Sequence, residues 1–119
     1  MVACIEEDDV TKPWKEYVAR PEPYFGWEDT GNSWKSHTGG TIHQLNVTSL
    51  QWLNSSVVEI VGAPGDPSVW HHEVLVIEPR VNKHRNTVML YATGGCNSRG
   101  PVSHNDKEVI ALDLAAFET

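Results

Sequence analysis

Two unbroken apolar runs constrain this chain more than anything else in it. One is Val-Leu-Val-Ile at residues 74–77, and the other is Thr-Val-Met-Leu-Tyr-Ala-Thr at 87–93, closed by Gly94 and Gly95. A half-solvated sheet alternates apolar and polar residues, so continuous runs of strand length suit strands buried on both faces beneath helices. The first run belongs to a longer strand that starts at Val69, after a turn-forming Gly/Pro cluster at 62–67, and stops at Pro79. A third stretch, residues 41–48, is β-branched and follows Gly39 and Gly40.

After the glycine pair at 94–95 the pattern changes to a helix. Asn105 is the predicted N-cap and Glu108 lies three residues on, as in a capping box. The helix is predicted over 106–117, with Ile110, Leu114 and Phe117 on one stripe and Val109, Leu112 and Ala116 widening it. A buried strand followed by a helix normally crosses to a parallel neighbour. The expectation is therefore a βαβ unit cut off near residue 117, an incomplete domain rather than a whole enzyme.

Residues 1–40 have neither period. Pro13, Pro21 and Pro23 interleave with Trp14, Tyr17, Tyr24, Phe25, Trp27 and Trp34, which predicts an extended arm anchored by its aromatics. Residues 41–119 then form the incomplete α/β domain, with three strands and one helix. At 119 residues only one core is feasible.

The net charge of -7, with acids clustered at 6–9 and dispersed bases, excludes the basic stripe of a nucleic-acid binder. No apolar run approaches the ~20 residues of a membrane span. Cys4 and Cys96 allow one disulfide and no C-x-x-C metal site. The first nine residues lack the basic and apolar regions of a signal peptide. Two N-x-S/T sequons, at Asn46 and Asn54, are glycan acceptors only in a secreted chain, and tripeptides this short read equally well as chance occurrences.

Specific words in the sequence carry a family resemblance. Lys15-Glu-Tyr17 through Pro21-Glu-Pro23 and Trp27, then Leu45-Asn-Val-Thr-Ser-Leu-Gln-Trp52, then Val69-Trp-His-His72, then Gly94-Gly-Cys-Asn97 together resemble the start of the PhoPQ-activated pathogenicity-related family. That family includes autocrine proliferation repressor proteins. The resemblance spans about residues 13–119, and its most specific block is L-N-x-T-S-x-x-W. It implies an exported α/β-hydrolase-like fold, longer than this chain and related to serine peptidases of the dipeptidyl-peptidase kind.

On that resemblance the chain is the N-terminal part of a secreted α/β-hydrolase-like protein, a serine hydrolase or peptidase when complete. The alternative is a non-catalytic secreted signalling protein of the autocrine proliferation repressor type. The expected partners are the remainder of its own domain and a cell-surface receptor or peptide-like substrate. No cofactor is implied.

The candidate chemistry centres on Gly94, Gly95, Cys96 and Asn97. They lie after a strand and before a helix, where α/β-hydrolases place an oxyanion-hole amide, and glycine allows the backbone close approach to a reacting oxygen. The competing reading is an ordinary strand-to-helix turn. No G-x-S-x-G nucleophile elbow is present, and Ser103 beside His104 reads as a loop or capping residue. His71, His72 and Glu73 do not suit a metal, because neighbouring strand residues face opposite ways; His84 and His104 could join only from loops. Cys96 reads as a buried thiol or a partner of Cys4 rather than a nucleophile.

Overall fold

A computed structural model describes residues 10–58, 65–94 and 100–118. The elements run α1 (Lys12–Val18), β1 (Gly26–Lys35), β2 (Thr41–Gln51), β3 (Val69–Glu78) and α2 (Lys107–Glu118). The three strands form one sheet in the order β1-β2-β3, each antiparallel to the next. The architecture is thus mixed α/β, and its sheet is a meander.

The arm expected over 1–40 differs in part. Within it, residues 12–18 form a short helix with Pro13 in its first turn, where a missing N–H costs nothing. Residues 26–35 are a full strand of the sheet. Its sequence, GWEDTGNSWK, is rich in turn formers, and it is a strand because β2 supplies a partner. The pairing slips between Asp29 and Ser33. Gly31 takes a φ of 74° there, and Asp29 Oδ1 accepts its N–H at 2.8 Å. A bulge of this kind tolerates residues that a regular ladder would reject.

The strands expected over 41–48 and 69–77 are present as β2 and β3. The strand expected over 87–93 is not. That segment is in no ladder, and Val88 and Leu90 are 87% and 88% exposed. Its composition favours a strand, but a strand exists only with a neighbour to bond, and the outer edge of β3 does not reach it among the described residues.

The helix is where it was expected, with two corrections. Asp106 does the capping, not Asn105: its Oδ1 accepts the Glu108 amide at 2.8 Å and the Val109 amide at 3.4 Å. Glu108 does not close a capping box; its Oε2 accepts the Thr93 hydroxyl at 2.7 Å. The buried face carries Val109 and Asp113, with Leu112 and Ala116 partly covered, whereas Leu114 and Phe117 are about half exposed. An aspartate therefore replaces the apolar residue expected at the centre of the stripe.

Asp113 is 1% exposed. It reaches the turn between β1 and β2, where its two carboxylate oxygens accept the Thr38 hydroxyl at 2.7 Å and the Thr38 amide at 3.0 Å. The same turn is closed by the Ser36 hydroxyl accepting the Gly40 amide at 2.9 Å. Burial raises the Asp113 carboxyl, but the hydrogen bonds from Thr38, Ser36 and neighbouring amides outweigh it and hold the group below its ordinary value.

At the far end of the sheet Ser68 is fully buried, and its carbonyl accepts the Trp52 amide at 2.7 Å. Asp66 Oδ1 accepts the Ser68 hydroxyl at 2.6 Å and its amide at 2.9 Å. Two polar clamps thus hold opposite ends of β2.

Apolar burial is slight. Among the described residues only Ile42 and Val109 are buried hydrophobics. The Cα radius of gyration is 19.8 Å, against about 13–14 Å for a compact domain of this length. The expected aromatic anchors are mostly on the surface: Trp14, Phe25 and Trp27 are about two-thirds exposed. Tyr17 does anchor α1, packing edge-on against Trp52 at 5.7 Å with Arg20 above its ring at 4.5 Å.

Candidate functional site

Residue 94 is the only described member of the expected oxyanion loop. Gly95, Cys96 and Asn97, and Cys4 with them, lie outside the described residues. Gly94 ends the extended segment 87–94 and borders a cleft of about 680 Å³. Nothing would stand within 4 Å of a Cβ built on it. The hydroxyl of its neighbour Thr93 donates to Glu108 in the first turn of α2, so the segment and the helix are joined where both line the cleft.

The cleft has three walls. One is β3, through Val74, Leu75 and Ile77; the second is the extended segment, through Met89, Leu90 and Tyr91; the third is α2, through Val109, Leu112 and Ala116. Its lining is mainly apolar, with Glu73, Lys83 and His84 among the charged and polar residues on it. Glu73 Oε2 accepts the Val102 amide at 2.9 Å and its Oε1 accepts the Gln44 amide nitrogen at 2.6 Å, which fixes the 100–106 connection to the sheet.

The histidines are separated by strand alternation. His71 Nδ1 lies 3.1 Å from the Thr48 hydroxyl and His72 Nε2 lies 2.7 Å from the Ser49 hydroxyl, on opposite faces of the sheet. His43 Nε2 is 3.5 Å from Glu78 Oε2. His104 is stacked on the Trp34 indole, with centroids 4.1 Å apart and planes 13° from parallel. Among the described residues no three His, Cys, Asp or Glu side chains converge as metal ligands would.

Ser103 behaves as a loop residue. Its hydroxyl accepts the Asn105 amide at 3.2 Å and its carbonyl accepts the Asp106 amide at 2.9 Å. The Ser49–His72 pair went unnoticed in the sequence, since only the strand register brings residues 23 apart into contact. Its signal would have been a correct pairing of 41–51 with 69–78. The pair is exposed and has no carboxylate partner among the described residues.

Both sequon asparagines are exposed. Asn46 lies in the central strand, opposite Glu28 on one side and Glu73 on the other. Asn54 lies in the turn after β2. No described helix is long and apolar enough to cross a membrane.

No curated protein and no solved structure matches the chain. A family model does, over residues 14–118, which takes in most of α1, the sheet, α2 and the cleft. With nearly the whole chain aligned to that model, the protein belongs to the PhoPQ-activated pathogenicity-related protein family.

Proposed function

We propose that this chain supplies the opening strands and first helix of an exported α/β-hydrolase-like protein. In that reading residues 94–97 offer backbone N–H groups to the oxyanion of an acyl-transfer reaction. A serine nucleophile, with its histidine and acid, comes from a later part of the same domain. The substrate class is peptide-like.

The observation that supports this reading is the apolar cleft between β3 and segment 87–94. β3 is an edge strand, the segment opposite it has strand composition and no ladder, and α2 walls the gap between them. A strand-helix crossover returns parallel to the strand it left, and one further strand entering this gap would bond to both open edges. Segment 87–93 would then become the buried strand its composition calls for, and residues 94–97 would lie at its carboxyl end, where open α/β sheets bind ligands.

The test is a serine-directed fluorophosphonate probe applied to the full-length secreted protein. Stoichiometric labelling of one serine supports the hydrolase reading. Absence of labelling on folded protein favours the non-catalytic signalling alternative on the same scaffold.

A further inference from the structure

One sequon ends in threonine, Asn46-Val-Thr48, and the other in serine, Asn54-Ser-Ser56; both asparagines are exposed, so accessibility does not distinguish them. Their hydrogen bonds and backbone settings do.

At the first sequon, Asn46 is held by the sheet. Its Nδ2, the atom that would be glycosylated, donates to Glu28 Oε1 at 3.2 Å. The sequon hydroxyl of Thr48 is engaged with His71 Nδ1 at 3.1 Å on the next strand. Asn46 and Thr48 both lie in the central strand, with ladders on each side. Seating the Asn-x-Thr backbone in a transferase site is incompatible with both ladders, so Asn46 is an acceptor only while β2 is unpaired.

At the second sequon every bond is local. Asn54 Oδ1 accepts the Ser56 amide at 3.0 Å and also the Ser56 hydroxyl. Both bonds end on the oxygen, so Nδ2 takes no part in them. The Asn54 carbonyl accepts the Val57 and Val58 amides at 3.1 and 3.2 Å, and Leu53 enters the turn with a φ of 58°. This is an Asx-turn, in which the side chain imitates a backbone turn over two residues. Opening it disturbs one surface turn and no strand pairing.

From this contrast we infer that Asn54, and not Asn46, is the N-glycan acceptor of this protein. The donor is a lipid-linked oligosaccharide pyrophosphate. Asn54 Nδ2 attacks the anomeric carbon, the bond from that carbon to the pyrophosphate oxygen breaks, the amide nitrogen gives up one proton to a transferase base, and the lipid pyrophosphate leaves.

The inference rests on the export reading, so the experiment separates the two. The full chain is expressed in cultured eukaryotic cells behind a heterologous signal peptide, which delivers it to the transferase whatever its native destination. Glycans are removed enzymatically in heavy-oxygen water, and the asparagines converted to labelled aspartate are identified by mass spectrometry. Ser56→Ala and Thr48→Ala each cancel one sequon while keeping both asparagines. Label at residue 54, lost in Ser56→Ala and kept in Thr48→Ala, is the expected result. Label mainly or equally at residue 46, or at neither position, overturns the assignment. Native export is read separately, from the location of the tagged protein with its own leader.

Discussion

Asp113 and Thr38 form a two-point latch: Oδ1 of the aspartate accepts the threonine hydroxyl at 2.7 Å and Oδ2 accepts its amide at 3.0 Å. Through this latch α2 is fixed to the turn between β1 and β2, which sits against the Glu78 end of β3, the strand the helix lies on. A buried carboxylate with satisfied oxygens orders the contact; the same carboxylate without partners would oppose it. Asp113→Ala leaves the Thr38 donors unmet and is expected to destabilise the chain by about 2–4 kcal/mol. A lowered urea midpoint with an unchanged slope is the readout.

The pH dependence follows from the same group. Asp113 and Asp66 both have carboxyls held below the ordinary value of 3.8. For Asp66 the Ser68 hydroxyl is the main cause, followed by the Ser68 amide. A carboxyl lowered in the folded state stays charged where the unfolded chain has already taken up its proton. The stability it contributes is therefore complete above the ordinary value and is lost as pH falls through the lowered one. Thermal midpoints are expected to hold as pH falls towards 4 and to drop below it, and Asp113→Asn should flatten that drop. Melting curves by circular dichroism across the acid range test this.

Trp34 carries a different imbalance. Its Nε1 is buried with no hydrogen-bond partner among the described residues, while its ring stacks on His104. Trp34→Phe keeps an aromatic face for the histidine and removes the orphan donor, so the two effects should cancel to within about 1 kcal/mol. Trp34→Ala removes the stack as well and is expected to cost about 3 kcal/mol. Equal losses in both variants, by denaturant melts, would show that the indole N–H is not the liability described.

Gly40 and Gly26 should respond oppositely to alanine. A Cβ on Gly40 would run into the Glu78 carbonyl oxygen, which belongs to the backbone and cannot swing away. A Cβ on Gly26 meets nothing within 4 Å, and its φ is not among the positive ones. Gly40→Ala is expected to cost more than about 2 kcal/mol by forcing the turn from β3, whereas Gly26→Ala should be neutral or slightly stabilising. The comparison is made by chemical denaturation of both variants.

The cleft and its exposed wall predict the solution behaviour of the isolated chain. Val88 and Leu90 are almost wholly exposed beside an edge strand, a combination that favours association. The wild-type chain should bind a hydrophobic dye and sediment as a mixture of sizes. Leu90→Ser should reduce both effects while shifting the melting midpoint little, since the side chain buries almost nothing. Analytical ultracentrifugation with dye titration distinguishes this from a well-behaved monomer.

Reading the chain as sequence recovered β2, β3 and α2, whose patterns are carried by their own residues: β-branched runs for the strands, an acidic first turn and an apolar stripe for the helix. β1 was hidden because Gly26, Asp29, Gly31, Asn32 and Ser33 all favour turns, and its strand geometry is imposed by the register with 41–48 and relieved by the bulge. The segment 87–93 erred in the other direction. Its residues favour a strand, but strand formation depends on a neighbour, and composition does not say whether one is in reach. Asp113 was overlooked because a helical wheel assigns aspartate to solvent, and the turn that satisfies it lies 75 residues away. The Ser49–His72 contact depended in the same way on register, whereas the turn at 54–56 is a local property of its own three residues.

That 75-residue separation also orders events in time. The meander joins consecutive strands through residues 36–40 and 52–68, both far shorter closures than the latch. The latch closes a long loop and repays its loop-closure entropy only after β1 and β2 have already built the turn that receives it. α2 should accordingly dock last and release first. Its amides should exchange with solvent deuterium through a partial opening that leaves the β2 ladder protected.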